Sequence, residues 1–246
     1  IPENGWVPIP AGTLRNVIEA VDFSIATDDS RYVFNGVFLA RKNDKLTAVA
    51  TDGRRLALVS RLVADASPIP EKGIIVSGGL IREIKKFLSQ DGRAFLVVNE
   101  TSFSVSDPDT GYTTTGRLID GVFPDYQQVI PKKLTGRCEV SRTELLTVLQ
   151  NMILSEDIRR VYAIFGENPL VIGCSAADLG ESTGELDCKT SGEVHTIGLN
   201  AAYLLEAIEG RTSDTILIEY SGPASPIRIT DPSDPDWLSV VMPMKT

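Results

Sequence analysis

The chain has 246 residues, 42% hydrophobic and 23% charged, a globular composition that excludes collagen-like repeats and extended disorder. Lys and Arg number 24 against 33 Asp and Glu, a net charge of −9, which argues against a surface that grips nucleic acid everywhere and leaves room only for a local basic stripe. Cys138, Cys174 and Cys188 are widely spaced and His195 is the single histidine, so no metal set, haem attachment or cofactor is expected. The odd cysteine count and the lack of a leader pattern point to a reducing, cytoplasmic setting, and no apolar stretch approaches the ~20 residues of a membrane span. The length suits one large domain or two ordinary ones.

In chain order, residues 10–24 place Leu14, Val17, Ile18 and Val21 at helical spacing, with Pro10 suited to the first turn. Strand patterns follow at 31–40, 45–50 and 55–62. The last two are joined by Thr51-Asp52-Gly53-Arg54, whose Asp-Gly pair signals a hairpin. A second helix is expected over 77–89, capped by Ser77 and apolar at Leu80, Ile81, Ile84, Phe87 and Leu88. Strands follow at 94–98, 102–106 and 112–119. Residues 141–154 open with Ser141 and Glu144 in capping-box spacing and turn Leu145, Val148, Leu149 and Met152 inward. Strands fit 160–165 and 169–173, with two more within 184–197. A fourth helix is expected over 200–209, with Asn200 as N-cap and Gly210 at its end. Strands at 215–219, 226–230 and 238–242 complete the set.

The order of elements repeats. Leu14, Val17, Ile18 and Val21 match Leu145, Val148, Leu149 and Met152; Leu80, Ile81, Ile84 and Phe87 match Ala201, Ala202, Leu205 and Ile208; AFLVV at 94–98 matches TILIE at 215–219. A repeat of this length is a duplicated domain rather than a solenoid unit. Two helices among many strands in each half predict an α+β fold with helices covering antiparallel sheet, the halves linked near 130–137.

No GxxxxGK[ST] and no strand-linked GxGxxG occurs. His195 lies in a strand pattern, where a structural role is commoner than catalysis. Asp28-Asp29 and Asp231, Asp234 and Asp236 carry turn-forming neighbours and read as solvated loops. Arg82, Lys85 and Lys86 share the polar face of the second helix, with Arg15 in the equivalent place on the first. Such a face can track phosphates without reading bases, although a solvated helix face is the commoner meaning. The terminal run LSVVMPMKT is apolar where polar residues are usual. Pro243 should end the last strand and leave Met244 near the surface as part of an adaptable pocket.

DFSIATDDSRYVFNGV, VATDGRRLALVS, DGVFPDYQQVIP, NAAYLLEAI and VVMPMK, taken together and in this order, resemble the beta subunit of bacterial DNA polymerase III, the sliding clamp. The resemblance spans essentially the whole chain. It implies the DNA clamp fold in tandem, with residues 1–133 as the central domain (1–8 being linker) and 134–246 as the C-terminal domain. The family chain has three such domains and closes a six-domain ring around duplex DNA as a homodimer. With Ile1 leading and only two repeats, the N-terminal domain is expected to be missing, and these residues alone are not expected to close a ring.

The resemblance further implies a non-enzymatic processivity factor, cytoplasmic and nucleoid-associated. It would hold DNA topologically and capture peptides of the polymerase alpha subunit, the clamp loader and other motif-bearing proteins. The family's peptide pocket carries over to Phe34, Thr51, Gly53, Arg54, Arg55, Leu56, Pro124, Gln128 and Val129. It continues on Ile158, Asn200, Tyr203, Pro226, Val240, Val241, Met242, Pro243 and Met244. Leu56, Val129, Val241 and Met244 would form its apolar floor. Arg54, Gln128, Ile158, Pro226 and the ending Lys245-Thr246 depart from the family pattern. The DNA-facing set would be Arg15, Arg31, Tyr32, Arg82, Lys85 and Lys86. The rival reading is a two-domain hydrolase or transferase working through Asp52 or His195.

Overall fold

A computed structural model describes residues 5–63, 68–153, 160–176 and 180–244. The chain divides into two units between Tyr126 and Gln127. The first unit contains β1 (Val7–Pro10), α1 (Ala11–Glu19), β2 (Gly36–Lys42), β3 (Lys45–Thr51), β4 (Arg55–Leu62) and β5 (Ile74–Ser77). It continues with α2 (Gly78–Phe87), β6 (Arg93–Val98), β7 (Ser102–Asp107) and β8 (Tyr112–Arg117). The strands pair antiparallel in two groups, β1-β6-β7-β8 and β4-β3-β2-β5. Helices α1 and α2 lie side by side, α1 touching β1, β3, β4 and β6, and α2 touching β2, β5 and β8. Leu14, Val17, Ile18, Ile81 and Ile84 are buried there, the apolar stripe that both helical patterns predicted.

The second unit runs β9 (Gly136–Ser141), α3 (Arg142–Met152), β10 (Arg160–Phe165), β11 (Leu170–Ala176), β12 (Gly180–Leu186) and β13 (Cys188–Ser191). It ends with β14 (His195–Asn200), α4 (Ala201–Glu209), β15 (Thr215–Tyr220), β16 (Ile227–Asp231) and β17 (Asp234–Val241). Its groups are β13-β9-β15-β16-β17 and β12-β11-β10-β14. With β13 set aside, the pairing of the first unit is reproduced strand for strand. The duplication is therefore one of topology. No helix among the described residues is long and apolar enough to cross a membrane.

The registers of the repeat differ from expectation. Ser77 caps α2 through its hydroxyl and Asn200 caps α4, so Ile81 matches Leu204 and Ile84 matches Ala207, two positions from the sequence alignment. Leu204 and Ala207 are buried, while Ala202 and Leu205 are half-exposed. Likewise Pro10 opposes Arg93 and Ser141 opposes Thr215, so Ala94 matches Ile216 rather than Thr215. A slip of one residue would turn every core side chain of the strand outward.

Several boundaries also move. Val7 and Pro8, expected in a linker, pair with Leu96 and Phe95 in β1, and Pro10 ends that strand instead of sitting inside α1. Helix α1 stops at Glu19, with a separate 3₁₀ turn at Asp22–Ser24. Residues 31–34, expected as strand, lie in a 3₁₀ segment because the Ala26 N–H is donated to Phe34 and the Asn35 N–H to Tyr32. Strand β2 then starts at Gly36, where a Cβ would clash with the Val76 carbonyl oxygen. The stretch 184–197 holds parts of three strands, not two. Val148 is half-buried, lying against Gly184. Asp231 is buried and takes the Ser233 N–H and Oγ–H at 2.8 and 2.6 Å, and Asp234 and Asp236 belong to β17, so this trio is a hairpin and not a solvated loop. Leu154 lies outside the described residues.

Candidate functional site

In the first unit the site residues gather at the β3–β4 hairpin. Asp52 Oδ1 accepts the N–H groups of Arg54 and Arg55 at 2.8 and 2.9 Å, and its Oδ2 lies 3.1 Å from Arg55 Nε. The Thr51 hydroxyl donates to the Arg55 carbonyl at 2.6 Å and accepts the Gly53 N–H at 3.0 Å. Gly53 has φ of 83°, and a Cβ there would stand 2.8 Å from Arg31 Nη1. Arg31 in turn lies 5.7 Å over the Phe34 ring. Phe34 meets Phe123 edge-on at 5.9 Å, and Phe123 stacks on Phe38 at 5.0 Å. The Arg55 guanidinium sits over Phe23.

The tip is thus rigid, and it presents Arg54 to solvent, with Pro124 exposed next in sequence to Phe123. Leu56 is 2% exposed and belongs to the core of its strand, so it cannot serve as an open floor. Phe123 and Phe38 were not singled out from the sequence. Phe123 stands inside the DGVFPDYQQVIP motif, but nothing local marks Phe38.

In the second unit the site residues converge where β14 ends and α4 begins. Asn200 Oδ1 accepts the N–H groups of Ala202 and Tyr203 at 3.0 and 3.3 Å, capping α4 and holding Tyr203 half-exposed on its first turn. The Met244 N–H is donated to the Gly198 carbonyl at 2.8 Å. A Cβ on Gly198 would stand 2.9 Å from the Met244 carbonyl oxygen and 3.4 Å from Arg160 Nε. Glycine here lets the chain end lie against β14, beside Arg160, which opposes Asn200 in the ladder. Neither Gly198 nor Arg160 carried a sequence signal.

Ile227 opposes Val241, which brings Pro226 alongside Met242. Met242 is 40% exposed and Pro243 and Met244 are half-exposed, whereas Val240 and Val241 are buried. Val241 is therefore core, for the same reason as Leu56: both point inward from paired strands. Gln128 and Val129 are exposed at the end of the 3₁₀ turn Tyr126–Gln128. Ile158, Lys245 and Thr246 lie outside the described residues.

The basic face of the first unit is only partly open. Arg15 Nη1 donates to the Leu88 carbonyl at 2.6 Å and its Nε lies 3.1 Å from Glu19, so this side chain fastens α1 to the end of α2. Lys85 is held by Asp22 at 2.8 Å. Arg82 and Lys86 are exposed, Lys86 with Glu83 at 2.7 Å, and Arg31 and Tyr32 are exposed as well. Helices α3 and α4 carry Glu144, Glu206 and Glu209, and Arg142 there gives its Nε to the Ser213 carbonyl. Positive charge on the helices is concentrated in the first unit.

Asp52 uses both oxygens on its own hairpin, and His195 lies edge-on to Tyr220 with Nε2 3.9 Å from Glu193. Among the described residues, neither side chain has the partners of a nucleophile or general base. Among the described residues, no group of three or more His, Cys, Asp or Glu could hold a metal ion.

Two family models match the chain: the DNA polymerase III beta subunit central domain over residues 8–125 and its C-terminal domain over 127–245. The chain is similar to the beta sliding clamp of Treponema pallidum, 28% identical over 244 residues, covering 97% of this chain and 65% of the relative. It is 30% identical over 251 residues to the Escherichia coli K12 beta sliding clamp, covering 96% of this chain and 64% of that one. The chain thus spans less than two thirds of the length of these relatives. Among solved structures, the Bartonella birtlesii sliding clamp bound to griselimycin superposes with a TM-score of 0.91 at 28% identity, over 100% of this chain and 68% of that one.

Proposed function

The chain belongs to the family of the DNA polymerase III beta subunit, and we propose that its two repeats serve a sliding clamp that captures partner peptides while a ring holds duplex DNA. The observation that carries the peptide reading is the pinned but exposed chain end. The Met244 N–H is tied to the Gly198 carbonyl, Pro226 lies alongside Met242, and Met242 is exposed with Pro243 and Met244 half-exposed. Thioether side chains on a fixed backbone offer an adaptable apolar surface. The family resemblance also assigns peptide contacts to Arg54 and Pro124 in the first unit and to Gln128 and Val129 in the second, each exposed within its own unit.

The work requires no bond-making. In the family pattern two full-length chains close the ring in the cytoplasm, at the nucleoid. Tethering the polymerase alpha subunit, the clamp loader or another motif-bearing protein raises its effective concentration at the primer end. Arg82 and Lys86, with Arg31 and Tyr32, would meet phosphates without reading sequence.

Calorimetric titration with a Leu-Phe-containing peptide tests the site. A micromolar dissociation constant, about −8 kcal/mol, is expected, since a short peptide immobilises several side chains on docking. Met242→Asp and Arg54→Glu should each weaken it, by about tenfold or more for Met242. Unchanged affinity in Met242→Asp would remove the chain end from the site. Unchanged affinity in Arg54→Glu would remove the hairpin.

A further inference from the structure

Two thiols in the second unit stand together outside the site just described. In the ladder of β13 and β9, Cys188 opposes Val140 and Cys138 opposes Thr190, so both cysteines point to the same face, one step apart on the diagonal. Cys188 Sγ donates to the Glu167 carbonyl at 3.5 Å. Cys138 is buried, while Cys188 is half-exposed on the wall of a cavity of about 270 Å³ that Asn168, Asp187 and Lys189 also line.

The strand that carries Cys188 is β13, which has no counterpart among the described strands of the first unit. It is a four-residue edge strand followed by Gly192 at φ of 105°. The Tyr220 hydroxyl donates to the Ser191 carbonyl at 3.3 Å, so the far end of β13 is fixed while the Cys188 end adjoins the cavity. Diagonal Cα atoms in such a ladder are about 7–8 Å apart and a disulfide wants at most about 6.8 Å, so closure draws β13 inward by roughly an ångström.

We propose that Cys138 and Cys188 form a redox-modifiable dithiol, whose disulfide fastens β13 onto β9. The co-reactant is a low-molecular-weight disulfide. The Cys188 thiolate attacks one of its sulfurs, and the expelled thiolate takes up the proton that Cys188 released. Cys138 then gives up its proton and attacks Cys188 Sγ, which expels the second small thiol. Two electrons pass from the protein to the reagent, and two small thiols leave. Burial first, and the neighbouring Cys188 second, push the Cys138 thiol up, so ring closure is the slower step.

The test treats the folded chain with oxidised glutathione, blocks remaining thiols by alkylation and maps unreduced peptides by mass spectrometry. Expected are a linked Cys138–Cys188 peptide pair, the loss of two of the three free thiols, and alkylation at Cys174. Cys138→Ala should instead accumulate a glutathione adduct at Cys188, and Cys188→Ala should leave Cys138 reduced. Amide exchange in β13 should slow by about tenfold in the oxidised chain. A persistent adduct at Cys188 in the unaltered chain with no linked pair, or linkage through Cys174, would overturn the assignment without recourse to the variants.

Discussion

Asp107 is fully buried yet charged, and its surroundings decide how stability responds to acid. Burial pushes its carboxyl up. The hydrogen bonds it accepts outweigh that: Ser89 N–H and Oγ–H at 2.7 and 2.8 Å on Oδ2, and the Asp109 N–H at 3.0 Å on Oδ1, with the Thr110 amide adding to them. The folded-state value therefore lies below the ordinary 3.8. A depressed carboxylate contributes stability that is fully present above its unfolded value and is lost as pH falls through the folded one. Urea unfolding followed from about pH 5 to about pH 2 should show that loss, and Asp107→Asn should remove its contribution while costing about 1–3 kcal/mol at neutral pH. At Gly53 the positive φ is the constraint: Gly53→Ala should lower stability by about 1 kcal/mol in the same measurement, with Arg31 giving way.

At the scale of elements, the chain end is more than a surface tail. From the sequence, Pro243 marks the end of pairing, and removal of Met244–Thr246 is expected to leave folding intact. The structure differs, because proline lacks a donor but its successor does not: the Met244 N–H closes on Gly198. Truncation after Pro243 should therefore weaken peptide binding and also lower the unfolding free energy by about 1 kcal/mol, read by denaturant titration. Asn200→Ala should cost a similar ~1 kcal/mol, since two N–H groups of α4 lose their acceptor together. A result in which peptide affinity falls but stability does not would detach the cap from the fold.

For the whole molecule, net charge and local charge act separately. A body at −9 repels a polyanion, and the exposed cations of α2 are where the repulsion is relieved. In a chain that is retained on DNA, Arg82→Glu with Lys86→Glu should reduce the salt slope of association by roughly one unit for each phosphate left without its cation. Arg15→Glu should behave otherwise and lower the melting temperature, because Arg15 ties α1 to the Leu88 carbonyl. An unaltered salt slope in the double variant would make this face a solvated helix surface.

Periodicity and turn chemistry by themselves determined the four helices, the Asp-Gly hairpin and the duplication, since these depend on neighbours three or four residues away. The apolar stripes of α1 and α2 needed no more than spacing. Tertiary structure decided what depends on partners distant in sequence. It set the two-residue shift between α2 and α4, the burial of Leu56 and Val241, and the capture of Arg15 and Lys85 by Leu88 and Asp22. An amphipathic pattern says which residues turn inward, but the core-facing side of a paired strand buries residues that a motif alone would place at a surface. The closeness of Cys138 to Cys188, fifty residues apart in sequence, is of the same kind. A ladder register brings them together, and no local signal in the sequence encodes it.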